Sequence, residues 1–326
     1  MKVLVTGGNG FLGSTLARNL VDKGYGVRIL HRKTSDMQLL HGLAYESALG
    51  DVTDLDSVDR ACGDIDFVFH VAALISYSPR EYQKMYDVNV GGTENIIKAI
   101  LKNKVKRLIH TSSVAAVGAS FDETPLNEKS IYNMGQFGFG YYDTKKEAED
   151  LIGQYIKTTD LDAVILNPSL MYGPGDFLKS SRSTQLKVAA GKIPFYSYGG
   201  INAIDVGDAV EGHIRAIEKG KRGERYILGG ENLTIKALFA WIAGFDGHRA
   251  PWIPLPDLVM RSASKVTGLI SQIGLKSNLS SDSLYISSMF HWYDTSKATK
   301  ELGLVTQSPF NAVQKSLRWA KDHDLF

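Results

Sequence analysis

Two tyrosines and two lysines stand close together in Gly140-Tyr141-Tyr142-Asp143-Thr144-Lys145-Lys146-Glu147-Ala148-Glu149. On a helix, residues four apart share one face, one turn from each other. The segment therefore offers two pairs, Tyr141 with Lys145 and Tyr142 with Lys146. An ammonium beside a phenol favours the phenolate and draws its pKa down from about 10 toward neutral, making it a usable proton donor or acceptor. The face through Tyr141, Lys145, Ala148 and Ile152 turns apolar toward its C-terminal end, while that through Tyr142, Lys146, Glu149 and Gly153 stays polar. An inward face must reach the cleft, so the reading selects Tyr141 and Lys145. Such a pair recurs by chance on solvated helices, and its meaning comes from its company.

That company is supplied by the elements that must hold it. Lys2 to Gly13 reads as a strand (Val3-Leu4-Val5), a tight turn and a helix with apolar spacing through Leu12, Leu16, Ala17 and Leu20. Gly7, Gly10 and Gly13 fall at GxxGxxG spacing, where missing side chains permit the turn, the approach of a pyrophosphate and close helix–strand packing. Backbone N–H groups of Phe11, Leu12 and Gly13 at the helix start, with its partial positive charge, would face the phosphates. The pattern indicates dinucleotide binding.

Further strands follow at Gly26 to Leu30, Ala44 to Leu49, Asp66 to Val71 and Arg107 to His110, alternating with helical segments, one of them from Tyr86 through Ile100. This alternation calls for an α/β fold: a doubly wound parallel sheet (Rossmann fold) with right-handed crossovers. The Asp66–Val71 run is nearly continuous in apolar residues, as a central strand covered on both faces requires. His70 within it reads as a core histidine, and the small Ala72 after it leaves room for a cofactor. Ser113 ends the Arg107 strand and Tyr141 follows the next loop. Both should converge at the carboxyl edge of the sheet, where a hydroxyl can hold a carbonyl while a phenol gives it a proton.

The residue past the second strand selects the dinucleotide. An acidic side chain there would bind a free ribose 2′-OH; His31-Arg32-Lys33 instead suits a 2′-phosphate, so Arg32 points to NADP, with NAD possible. Asp51 either touches the adenine amine or caps the following helix, and Val52 lies beside it.

With 326 residues, 44% apolar and 22% charged, the chain can bury a sizeable core; its formal net charge of +2 gives no reason to expect nucleic acid or an electrostatically held membrane. The single cysteine, Cys62, rules out internal disulfides and a Cys-clustered metal site, so no metal is expected. Cys62 reads as an apolar filler. The apolar stretch from Pro251 to Leu275 is broken by Asp257, Arg261 and Lys265, too interrupted to span a bilayer. Met1-Lys2 runs straight into the first strand, and a cytoplasmic enzyme is the expectation.

Taken together, the Gly7/Gly10/Gly13 turn, Thr111-Ser112-Ser113, the Tyr141-x-x-Thr-Lys145 helix and Asn167-Pro168-Ser169-Leu170-Met171-Tyr172-Gly173-Pro174-Gly175-Asp176 resemble the extended short-chain dehydrogenase/reductases, the NAD-dependent epimerase/dehydratase superfamily. Ile204 to His213, Gly223 to Gly230 and Asp294 to Gly303 look most like its dihydroflavonol-4-reductase-like branch. The resemblance implies that Ser113 orients the substrate oxygen, that Tyr141 is the acid-base, and that Lys145 binds the nicotinamide ribose and tunes Tyr141. It places Asn89 in a proton-relay position, although a buried polar residue bonding backbone would read the same. Ala72, Val52 and Pro168 complete the expected cofactor contacts, and a homodimer through the Tyr86–Ile100 and Tyr141–Ile156 helices is implied. Two departures bear on activity. Ser113-Val114 replaces the acidic pair of sugar-nucleotide dehydratases, and Asn167 stands where many sugar-nucleotide epimerases carry Arg.

Residues 1–166, with 204–230 returning, are expected to form the NAD(P)-binding domain, and 167–203 with 231–326 a smaller C-terminal substrate-binding domain. Phe195, Tyr196, Tyr198, Trp252, Pro254, Pro256, Met260, Met289, Phe290 and Trp292 would line an apolar pocket or pack the small domain's core; Arg182, Arg249 and Arg261 are the candidates for a phosphorylated substrate. Ala312 to Asp322 reads as a closing helix. The expectation is an NAD(P)-dependent oxidoreductase moving hydride between nicotinamide and the carbonyl or alcohol carbon of a small molecule. A nucleotide-sugar epimerase with retained NAD and a non-catalytic NADP-binding regulator are the alternatives.

Overall fold

In the computed structural model, which describes residues 1–176, 182–256, 260 and 285–326, the first strand explains the sheet. β1 (Lys2–Thr6) sends Val3 and Val5 into one apolar layer and Leu4 into the other, all fully buried. The same two-residue alternation divides β4 (Phe67–His70), β5 (Arg107–Thr111) and β6 (Ala163–Pro168): Phe69, Ile109, Val164 and Leu166 face one way, and Val68, Leu108, Ala163 and Ile165 the other. Strands apolar on both sides need helices on both sides. α1 (Phe11–Asp22) and α7 (Val206–Lys219) supply one layer, while α2 (Leu55–Cys62), α4 (Gly92–Asn103) and α5 (Gly140–Thr158) supply the other.

With β2 (Gly26–His31), β3 (Glu46–Leu49) and β10 (Arg225–Leu228), the seven strands run in the order β3-β2-β1-β4-β5-β6-β10, every neighbouring pair parallel. Successive strands go outward from β1 on one side and then return to β4 on the other, so the direction of winding reverses between β1 and β4. Chain ends diverge there and leave a crevice at the carboxyl edge, which positions any ligand site. Three local readings shift. β3 begins at Glu46 rather than Ala44. Asp54, not Asp51, caps α2, its carboxylate accepting from the Asp56 N–H. The helix expected from Tyr86 is instead α3 (Tyr82–Tyr86), a π-turn at Asp87–Gly91, and α4.

Around the crevice lies a second body. β7 (Leu170–Tyr172), β9 (Gly200–Asp205), β11 (Glu231–Thr234) and β13 (Phe290–His291) form a small mixed sheet, and β8 (Phe195–Ser197) pairs in parallel with β12 (Ile253–Leu255). Ile235, Leu238, Phe239 and Ile242 of α8 (Ile235–Gly244) and Ala312, Val313, Leu317 and Ala320 of α9 (Pro309–Asp322) give it a separate core. α6 (Ser183–Ala189) covers its end with Val188 and Ala189. Among the described residues no helix is long and apolar enough to cross a membrane; most of the Pro251–Leu275 stretch, with Asp257, Arg261 and Lys265, lies outside them.

Candidate active site

The turn after β1 is shaped by what its glycines exclude. Gly7 has φ +67°, and a Cβ there would stand 2.7 Å from the Ala72 nitrogen, where the chain leaves β4. A Cβ on Gly13 would stand 2.1 Å from the Gly7 carbonyl oxygen, so α1 lies directly on the turn. Gly10 differs: its Cβ would meet nothing nearer than the Gly7 oxygen, at 3.4 Å. Gly10 also begins α1 without any side-chain cap. A backbone cradle with open space at the middle glycine and helix N–H groups behind it fits a dinucleotide's phosphates. Phe11 and Leu12 bury their side chains in the core, leaving their backbone as the part able to face such a group.

Other expected cofactor contacts stand at the same edge with differing commitments. Arg32 is exposed just past β2, its peptide held in a turn by Ser35. The Asp51 carboxylate accepts from the Thr53 N–H (3.0 Å) and hydroxyl (2.9 Å), which shapes the loop after β3. Val52 is buried, packs on Gly92 and accepts from Asn95 at its carbonyl (2.9 Å). Ala72 is half-buried and donates its N–H to the Thr6 hydroxyl (3.2 Å), while Pro168 is buried at the end of β6.

β5 delivers the chemistry. After Thr111 the chain stays extended at Ser113 (φ −160°, ψ 155°), then folds into a 3-10 turn at Val114–Ala116 that the Ser113 hydroxyl caps by accepting from the Ala115 N–H (3.1 Å). The Tyr141 phenol faces the same hydroxyl, which favours its ionised form. From the next turn of α5, Lys145 is 3% exposed and donates its ammonium to the Thr111 carbonyl at 2.9 Å. Tyr141 and Lys145, one helical turn apart on α5, thus both reach the end of β5. The rival pair goes elsewhere: the Tyr142 hydroxyl meets His291 Nε2 at 2.9 Å, and Lys146 pairs with Asp150 on the exposed side. Two residues of the supposedly polar face are nevertheless buried, Tyr142 in an aromatic cluster and Glu149 in an ion pair with Arg225.

The electrostatics differ from the simple expectation. Burial pushes the Tyr141 phenol upward, the Ser113 hydrogen bond opposes this, and Tyr77 adds to the rise. Lys145 does not lower it directly, because its amine turns to the Thr111 carbonyl. Burial brings the lysine itself down to about 8, against an upward pull from Glu149. A short-reaching ammonium with a pKa this low is close to its switching point.

Asn89 sits in the π-turn before α4, buried, with its side chain accepting from the Leu74 N–H (2.8 Å) and donating to the Leu74 carbonyl (3.0 Å) and the Thr144 hydroxyl (3.1 Å). Every polar atom of its amide is engaged by the 74 loop and α5. His70 is a core histidine: Nδ1 meets the Thr6 hydroxyl, Nε2 the Thr93 hydroxyl, and burial drives its pKa to about 3. Arg182, a phosphate candidate by sequence, is buried and committed inward to the Met171 carbonyl, Asp176 and the Tyr172 ring. Arg249 lies over Trp252 at 4.2 Å, and Arg261 lies outside the described residues.

The aromatic side of the site was not legible from the chain. The loop before α5, which reads as polar and Gly-rich, contributes Phe121, Phe137 and Phe139; with Tyr285 they make ring contacts, mostly edge-on or tilted, at centroid distances of 5.1 to 6.3 Å. Met289 and Tyr142 are buried within this cluster, and Tyr77 and Tyr141 pack against it. Of the residues named for an apolar pocket, Met289 joins it, whereas Tyr196, Tyr198 and Trp252 belong to the β8–β12 region and Phe290 meets Trp292 edge to face.

Comparison with known proteins places these features in a group. A model described as "NAD dependent epimerase/dehydratase family" matches residues 3–229. The chain is 33% identical to a putative dihydroflavonol 4-reductase of Synechocystis sp., over 98% of this chain and 94% of that protein. It is 31% identical to sterol demethylase protein B of Methylococcus capsulatus, over the full length of both. Among solved structures, that of gox2253 matches with a TM-score of 0.88 at 34% identity over 98% of each chain. UDP-glucose 4-epimerase of Thermotoga maritima matches with 0.80 at 21% identity over 99% of each, a likeness of fold alone.

Proposed function

This chain belongs to the NAD dependent epimerase/dehydratase family and is an oxidoreductase of the extended short-chain dehydrogenase/reductase type, and within that type we propose that it reduces an apolar, ring-bearing ketone or aldehyde with NADPH. The observation that carries the reading is the meeting of the Ser113 hydroxyl and the Tyr141 phenol at the carboxyl end of β5, with Lys145 one turn behind.

Gly7, Gly10, Gly13 and the start of α1 would hold the dinucleotide's phosphates, Arg32 its ribose phosphate, and Lys145 its second ribose. When bound, a nicotinamide dinucleotide supplies or accepts the hydride. The Ser113 hydroxyl donates to the substrate carbonyl oxygen and fixes it beside Tyr141. The phenol gives its proton to that oxygen as negative charge develops there. A phenol raised by burial stays protonated at neutral pH, the form a reductase needs at the start of its cycle. Asn89 braces the 74 loop against α5 through its three side-chain hydrogen bonds.

Substrate class follows from the wall. Phe121, Phe137, Phe139 and Tyr285 extend the site from Tyr141 as an aromatic surface, and Arg182 is spent inside the fold, so the surface favours hydrocarbon rings over a diphosphate. The two full-length relatives are named for a flavonoid and a sterol reaction, in keeping with such a surface. The enzyme is read as cytoplasmic and as a homodimer through α4 and α5, the latter checked by sedimentation. The deciding experiment measures NADPH oxidation against a panel of cyclic ketones with the natural protein and Tyr141→Phe. Loss of more than about 100-fold in kcat with cofactor affinity retained is expected. An undiminished rate refutes the acid-base role, and tightly retained NAD without net turnover would point to an epimerase.

A further inference from the structure

Glu149 is one helical turn beyond Lys145, 6% exposed, and has so far no part in the chemistry. Its two oxygens are held by different strands. Asn167, fully buried on β6, donates its amide to Oε1 at 2.6 Å and donates also to the Ser113 carbonyl at 2.9 Å. Arg225 on β10 reaches Oε2 at 3.3 Å and is itself anchored on the Glu128 and Ser130 carbonyls. A carboxylate so deep needs a reason beyond packing, because burying it is costly unless it is paired.

Building on the roles proposed for Ser113, Tyr141 and Lys145, we infer that Glu149 is a positioning residue: fixed by Asn167 and Arg225, its negative charge keeps the buried Lys145 amine protonated. The surroundings of Lys145 show why one charge is needed. His70 of β4 and His110 of β5 stand near it and His213 of α7 meets the Thr111 hydroxyl at 2.9 Å, each buried and neutral at pH 7, with His70 and His213 lowered by burial to about 3 and about 4. The Lys145 charge opposes protonation of His70 and His110. On α5 Tyr141 is protonated, and beyond Glu149 the nearest charge is the guanidinium of Arg225. Among the described residues, Glu149 is the carboxylate that pulls Lys145 toward its ammonium form, against the burial that lowers it to about 8.

The test reads the lysine itself, in the full-length protein without substrate. Protein labelled with 13C at lysine Cε is titrated by NMR, and the Lys145 signal is identified by its loss in Lys145→Arg. The natural protein should titrate near 8. In Glu149→Gln the midpoint should fall by about one pH unit or more, and Glu149→Asp should restore most of it. Arg225→Met removes a cation behind the carboxylate and should move the midpoint upward, a direction opposite to that of Glu149→Gln. If Glu149→Gln yields no folded protein, as judged by circular dichroism, Arg225→Met and Glu149→Asp carry the test. An unmoved midpoint in Glu149→Gln or in Arg225→Met, or movement of both in one direction, overturns the inference. Because this readout needs no turnover, its failure is separable from failure of Tyr141→Phe to reduce the rate.

Discussion

Gly10 and Gly13 should separate binding from folding, since the same methyl group meets different surroundings at each. At Gly13 a Cβ would stand 2.1 Å from the Gly7 oxygen, 2.8 Å from its carbonyl carbon and 2.9 Å from the Gly8 Cα. All three are backbone, so α1 and the turn must part by roughly 1 Å before ordinary contact returns, opening the packing of Leu16, Ala17 and Leu20. Overpacking of this kind costs about 3 kcal/mol. That predicts a fall in Tm of roughly 6 to 12 °C at 2 to 4 °C per kcal/mol. At Gly10 the backbone (φ −85°, ψ 174°) is open to alanine, and the nearest atom is 3.4 Å away. The poorer cap and the reduced freedom of the unfolded chain offset each other, leaving stability within about 0.5 kcal/mol. If the phosphates lie on that backbone as proposed, the added methyl should lower affinity for NADPH at least about tenfold, or 1.4 kcal/mol. Thermal unfolding followed by circular dichroism, with calorimetric titration of NADPH and NADH, measures both. Gly10→Ala binding both dinucleotides as the natural protein does, or Gly13→Ala melting within a degree of it, would refute the argument.

Other outcomes follow from single side chains. Arg32→Glu should reverse the preference between dinucleotides, raising the Kd for NADPH at least about tenfold while leaving NADH within a few-fold, because a carboxylate repels the 2′-phosphate and accepts from a free hydroxyl; equal changes for both would show that Arg32 does not read the ribose. Lys145 has a folded pKa of about 8 against an ordinary 10.5, so the unfolded chain holds the extra proton between those values and stability should rise as pH climbs from 8 to 10.5. Lys145→Met should abolish that rise and stabilise the protein at pH 7 by up to about 3 kcal/mol while weakening dinucleotide binding, a pattern that urea unfolding at several pH values can contradict. His70, His213 and His291 are lowered to about 3, 4 and 4 by burial, so their contribution to stability should be complete above pH 6.5 and be lost as the pH falls from there to 4. A flat profile there by the same method would mean that these imidazoles charge without unfolding.

What the amino-acid order determined by itself was the set of elements and much of their register. Val3-Leu4-Val5 must be a doubly covered strand, because successive side chains leave opposite faces and all three avoid water. Gly7 must admit a positive φ and Gly13 a close contact, because no other residue lacks a Cβ. The helix carrying Tyr141 and Lys145 was legible for the same reason: the relevant period is local and complete within a few turns.

Tertiary structure decided what those side chains touch. The turn of Lys145 to the Thr111 carbonyl and the pairing of Glu149 with Asn167 and Arg225 bring together β5, α5, β6 and β10. The aromatic wall joins Phe121 and Phe137 to Tyr285, a partner supplied by the far end of the chain. Local pattern tells a side chain which face to take, but its neighbours on that face come from strand order and helix packing, and burial, which sets the protonation of Tyr141 and Lys145, exists only once those layers have closed.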